Sequence, residues 1–314
     1  MSEFTIRQAR LDDTAAISAL FRARIGVWQR LDSSGRVEDV PYEALTLYER
    51  WLHGGAWMSV ETGAIHLSHL LRGAGLALVA ESGGGVCAYC EGYTGSEPPP
   101  FGPHLHLTAP AVHPDAEGSD LDGMLVRAMA DQARALRLPR LLASAAPPEH
   151  KALYAAQGMR PVAEIRRCAL PARSGQGFYR AVDHPDPNPA LIEGWHMPLG
   201  RLESARCQWE TLWPRTWDAL PEMRQRRIHR LRLNAAGHDA LLCVQQQLYQ
   251  PRSADVYCWS PRPLTSQLLT AVRDWAHREG YRTLVMAVTE DARKTLGPEA
   301  EPDAFTLDVY ALDV

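Results

Sequence analysis

The chain has 314 residues, 46% hydrophobic and 22% charged, enough apolar surface for one or two cores. A net charge of −4 and a pI near 6.3 supply no general attraction to nucleic acid or to an anionic membrane. No apolar run approaches the roughly 20 residues of a membrane span and the N-terminus is too polar for a signal peptide, so a cytoplasmic location is expected.

In chain order, a strand ends near Ala9, and Asp12 or Asp13 caps a helix carrying Ala16, Ile17, Leu20 and Phe21 on its inner side. A second helix is expected over Pro41 to Leu52 and a third over Thr62 to Leu71. Gly75 to Glu81 and Val86 to Tyr93 are apolar strands joined by Ser82 to Gly85, whose glycines can take positive φ. The Pro-rich loop Ser96 to Pro103 interrupts regular structure before a strand at Leu105. From there the chain enters a Gly/Ser/Asp loop and leaves as a helix with Leu125, Ala128, Met129 and Leu136 on one stripe. A strand, loop and helix in this order can cradle phosphate on the helix N-H groups, and an ordinary crossover has the same pattern. Leu141 to Ala145 is a short strand, Glu149 to Gln157 a short helix, and Val162 to Leu170 a closing strand.

Residues 172–189 turn to Arg, Ser, Gly, Asp and Pro without periodicity and are expected as a linker between domains at 1–171 and 190–314. Beyond it, Trp195 to Leu199 is expected as the first strand of the second half, and Ser204 to Trp213 and Trp217 to Arg226 as helices. Strands at His229 to Asn234, Ala240 to Tyr249 and Asp255 to Trp259 precede a helix over Leu264 to Glu279. Strands at Thr283 to Val288 and Phe305 to Val314 finish the plan, which repeats that of the first half.

The six cysteines are scattered, as suits reduced thiols. Cys87 and Cys90 are three apart on a strand and point to opposite faces. His66 with His69, and His104 with His106, are spaced to chelate, yet neither pair has a Cys or carboxylate at ligand spacing. No metal is expected.

Three stretches carry a resemblance: Ile6, Arg7 and Ala9 in the first strand, Val112 and Pro114 in a V-x-P pattern, and Leu153, Tyr154 and Gly158 in an L-Y-x-x-x-G pattern. Their order resembles the GNAT N-acetyltransferase superfamily over roughly residues 3–170, and mycothiol synthase is similar in length and two-lobed layout. The resemblance implies an α/β (α+β) fold of two tandem GNAT-like domains, each a mixed, mostly antiparallel sheet flanked by helices. It further implies acetyl-CoA as acyl donor and a small-molecule amine as acceptor, attacked directly at the thioester. Val112 would offer backbone groups, Gly118, Ser119, Leu121 and Gly123 would form the donor loop, and Tyr154 would protonate the leaving thiolate.

The chain departs from the family loop. Where the family has Arg or Gln stands Glu117, and two of its glycines are Asp120 and Asp122. A carboxylate ~5 Å from a pyrophosphate charge costs roughly 3 kcal/mol at an effective dielectric of 20. Ser119 and Asp122 also have capping-box spacing, so the helix can satisfy its own N-H groups. In the second half the corresponding loop has no acid and offers Arg262, Thr265 and Ser266, which favours that half for CoA, while Arg293 stands in place of the tyrosine. Two functions follow: an acyl-CoA-dependent N-acyltransferase, or a non-catalytic pair of GNAT folds serving as a binding or assembly module.

Overall fold

The computed structural model describes residues 4–32, 35–175, 177–221, 224 and 227–314. The order is β1 (Thr5–Gln8), α1 (Thr14–Arg22), β2 (Gln29–Leu31), β3 (Val37–Asp39), α2 (Leu47–Trp51), α3 (Val60–His69), β4 (Leu76–Ser82), β5 (Gly85–Glu97), β6 (Gly102–Leu107), β7 (Ala111–Val112), α4 (Leu121–Ala135), β8 (Arg140–Ala145), α5 (Pro148–Ala156) and β9 (Arg160–Pro171). It continues with β10 (Tyr179–Asp183), β11 (His196–Leu199), α6 (Ala205–Leu212), β12 (Ile228–Ala235), β13 (His238–Gln246), β14 (Ser253–Ser260), α7 (Ser266–Arg278), β15 (Thr283–Thr289), α8 (Glu290–Leu296) and β16 (Glu301–Asp313). No helix among the described residues is long and apolar enough to cross a membrane.

Contacts divide the chain into two units whose limits differ from the expected 171 and 190. The first holds Met1–Tyr93, Leu107–Gln132 and Thr216–Gln225, and the second holds Thr94–His106, Ala133–Arg215 and Arg226–Val314.

In the first unit β1, β4, β5 and β7 form antiparallel pairs, with Ile6 opposite Ala80, Val79 opposite Tyr89, and Tyr89 opposite Ala111. Ile17 and Leu20 of α1, Leu67 of α3 and Val79 of β4 are at most 1% exposed, while Phe21 is partly buried and Ala16, expected on the same inner face, is exposed. Asp13 does not cap α1. Its carboxylate instead takes two N-H groups of Arg7, at 2.7 and 2.8 Å, and the Arg10 amide at 2.6 Å. The helix expected over Pro41 to Leu52 is broken by Leu45, whose extended backbone separates a 3-10 turn from α2; Thr46 and Glu49 then form a capping box. The helix expected over Trp217 to Arg226 is a 3-10 turn at Thr216–Ala219, and Glu222, Met223, Gln225 and Arg226 lie outside the described residues.

In the second unit the strand order is β6-β8-β16-β9-β15-β14-β13-β12-β10. Its middle joins the two sequence halves by exchange. The last strand of the chain, β16, lies between β8 and β9, with Tyr310 opposite both Ala143 and Pro161. The last strand of the first half, β9, lies between β16 and β15, with Met286 opposite Cys168. Cys168 and Leu170 of β9 accordingly sit in one buried cluster with Leu268 and Val272 of α7 and Leu242 of β13. Within 172–189, read from sequence as a linker, Tyr179–Asp183 is a sheet-edge strand paired with β12, and Asp274 accepts from the Gly175 amide and the Tyr179 hydroxyl. Short polar strands at a sheet edge lack the apolar alternation that marks a strand in sequence.

The strand expected at Trp195 to Leu199 forms as β11. β14 and β15 run parallel and pair only at Ser253–Asp255 with Thr283–Val285. Beyond that point β11 takes up the space between them, with Leu199 opposite Cys258 and His196 opposite Ser260 on β14, while the Gly200 and Arg201 amides both donate to Ala287 O of β15. Gly200 has φ +81, and an added Cβ would lie 2.5 Å from Val256 O. Gly200→Ala is therefore expected to cost about 3 kcal/mol or more, read as a lower guanidinium midpoint. A loss under about 1 kcal/mol would mean that β11 is not fixed between these strands.

Candidate functional site

On β5 alternate residues share a face, which places Glu91 between Tyr89 and Tyr93. Glu91 is 8% exposed, and a carboxylate so buried must be saturated with donors. Its Oε1 accepts from Trp57 Nε1 at 3.0 Å, the Tyr89 hydroxyl at 3.0 Å and His66 Nε2 at 2.9 Å, and its Oε2 accepts from the Tyr93 hydroxyl at 2.6 Å. Burial alone would raise the carboxyl's pKa; His66, Tyr93 and Trp57 outweigh it and bring it down to about 2. Trp57 comes from the 3-10 turn before α3 and His66 from α3 itself. The signal available in sequence was an acid alternating with tyrosines in an otherwise apolar strand; His66 carried none, because its carboxylate is 25 residues away.

Beside Glu91 the next strand is interrupted. The Thr108 amide donates to Glu91 O and the Thr108 hydroxyl accepts from the Glu91 amide, after which the chain breaks and rejoins β5 as β7 with Val112 opposite Ala88. The loop that follows has Gly118 at φ +83 with open space where a Cβ would stand. The Ser119 hydroxyl donates to Ala116 O. Asp122 accepts from the Gly123 amide at 2.8 Å, and Asp120 pairs with Arg127 at 2.5 Å. Leu121 is fully buried and anchors the helix start. Of the three acids that make this loop unfavourable to phosphate, Asp120 is thus paired with Arg127 at the exposed surface and Asp122 takes an amide at the start of α4, an arrangement invisible in linear sequence.

The second-half loop is engaged differently. Arg262 donates to Gly237 O at 2.5 Å, and Thr265 caps α7 by accepting from Leu268 N while it also bonds His238. The Ser266 hydroxyl lies 3.4 Å from Gln267 Oε1. With β11 filling the adjoining space, the side chains proposed to greet a phosphate are spent on the fold.

Tyr154, in the second unit, is fully buried in α5, with its ring 5.9 Å from Tyr310 and 6.4 Å from His150. The histidine pair on β6 is partnered by carboxylates that the sequence spacing hid: His104 Nε2 is 3.7 Å from Glu97 and His106 Nε2 is 2.5 Å from Glu203. No cluster of three or more potential metal ligands occurs among the described residues.

No protein-family model and no curated protein matches this sequence. Solved structures do. A GCN5-related N-acetyltransferase from Anabaena variabilis aligns at a TM-score of 0.65 and 11% identity, over 98% of this chain and 72% of that one. A GCN5-related N-acetyltransferase from Kribbella flavida aligns at 0.55 and 14% identity, over 99% and 71%. A tandem GNAT protein from the clavulanic acid biosynthesis pathway aligns at 0.51 and 15% identity, over 99% of this chain and 98% of that one. The chain therefore has the GNAT fold, laid out in tandem along its length.

Proposed function

We propose that the protein transfers an acyl group from an acyl-CoA to the amine of a small molecule, and that the first half holds the donor. The observation that carries this reading is the contrast between the halves. In the second half β11 occupies the space beside β14 and the loop residues Arg262 and Thr265 are bonded internally. In the first half the interrupted strand at Val112 leads straight into the Gly118 loop and the start of α4, with the ionised Glu91 alongside. That reverses the preference that loop charge alone gives.

Calorimetric titration with acetyl-CoA tests it. One site is expected, weakened tenfold or more by Gly118→Asp, which adds both a side chain at positive φ and a charge, and changed less than twofold by Arg262→Glu. Loss of binding in Arg262→Glu alone would move the donor to the second half, and no binding at all would favour a non-catalytic GNAT pair. Tyr154 keeps the role of general acid as part of the proposal. Tyr154→Phe retains the buried ring, so a kcat lower by roughly 10²- to 10⁴-fold reports the lost proton and an unchanged kcat assigns Tyr154 to packing.

A further inference from the structure

His66 and its surroundings go further than the acyl-transfer reading on which this inference rests. Because Glu91 is ionised, the His66 nitrogen facing it, Nε2, must be the donor. In the neutral ring the lone pair then sits on Nδ1, which has no hydrogen-bond partner among the described residues, and the side chain is 16% exposed. A carboxylate that fixes the tautomer of an imidazole and leaves its other nitrogen open makes that nitrogen a base and stabilises the imidazolium it becomes. The approach is walled by indoles: Trp57 edge-on at 5.6 Å, Trp217 stacked at 6.5 Å, and Trp51 edge-on against Trp217 at 4.3 Å. Trp51 and Trp217 are both only half-buried. Indole faces attract cations and bury apolar groups.

We infer that His66 is the catalytic proton acceptor for an ammonium substrate whose apolar or aromatic body lies against Trp217 and Trp51, with Glu91 as its positioning residue. The step balances with the groups named. His66 Nδ1 takes one proton from the ammonium and later releases it to solvent. The freed amine lone pair forms the C–N bond, the C–S bond breaks, and the second amine proton ends on the thiol.

The test uses the full-length protein, acetyl-CoA, and two probe amines, phenethylamine and methylamine, followed by thiol release. The expected kcat/KM is at least tenfold higher for phenethylamine. His66→Gln is expected to lower it at pH 7 by about 100-fold or more, to regain about tenfold per pH unit as the amine deprotonates unaided, and to keep acetyl-CoA affinity within twofold. Imidazole should rescue His66→Gly, which a merely structural histidine would not allow. Trp217→Ala, on the 3-10 turn Thr216–Ala219, should raise KM for phenethylamine more than it changes kcat, and it serves if a His66 variant does not fold. An unaltered pH profile in His66→Gln, equal use of the two amines, or no thiol release by wild-type protein that binds acetyl-CoA overturns the inference. If acetyl-CoA does not bind, the acyl-transfer reading falls instead; calorimetric binding of phenethylamine that Trp217→Ala weakens would then uphold the amine site, and its absence would remove it.

Discussion

Residues 1–171 expressed alone should fail to form a soluble folded protein, whereas the full chain cleaved within 174–178 should elute as one particle near 34.9 kDa. The reason is the exchange of terminal strands. Without β16 and β15 the first half leaves β9 unpaired on both edges and β8 unpaired on the β16 side. Ile165 and Leu170 lose their cover, and so do Leu307 and Val309 in the other piece, all at most 4% exposed in the intact protein. At roughly 1.5–3 kcal/mol for each large apolar side chain, the loss is on the order of 10 kcal/mol, comparable with the whole stability of a typical domain. Open apolar strand edges also template aggregation. In the cleaved chain nothing is lost but one peptide bond, so the pieces should separate only in denaturant. Size-exclusion chromatography with light scattering reads both outcomes, and two separately eluting folded pieces would show that the halves are independent.

Arg201→Met is expected to destabilise the protein by about 3–5 kcal/mol, on the order of 10 °C in Tm. Arg201 and Glu97 are both 2% exposed in their side chains and face each other bidentately, with Arg201 Nη1 to Oε2 and Nη2 to Oε1 at 3.1 Å. Burial disfavours a charged Glu97, yet the guanidinium, with His104 and the Ala205 amide, holds its carboxyl below the usual range. The guanidinium carbon also lies 3.5 Å from the centre of the Phe101 ring. Removing Arg201 strands a buried carboxylate, the costly half of breaking such a pair. The double variant Arg201→Met, Glu97→Gln removes both charges and should recover most of the loss, as a calorimetric double-mutant cycle will show. A single variant within 1 kcal/mol of the parent would mean that water reaches Glu97.

The sequence by itself determined the fold class and the long elements, because apolar stripes such as Leu125, Met129 and Leu268, Val272 repeat at helical spacing and turn residues such as Ser82 to Gly85 act locally. It also exposed the degenerate donor loops, since Glu117, Asp120 and Asp122 stand in one short run. Partnership across the chain was decided only by the tertiary structure. Nothing in β11 distinguishes an edge strand from one laid between β14 and β15, because both present the same short apolar run and differ only in which carbonyl, here Ala287 O, receives the amides. Nor could β9 and β16 announce their exchange, since an apolar strand satisfies its backbone equally well against any partner of matching register. The Glu91 and His66 pair was hidden for the same reason: a carboxylate and an imidazole 25 residues apart acquire their chemistry only when α3 packs on β5 and brings His66 Nε2 to 2.9 Å from the buried carboxylate.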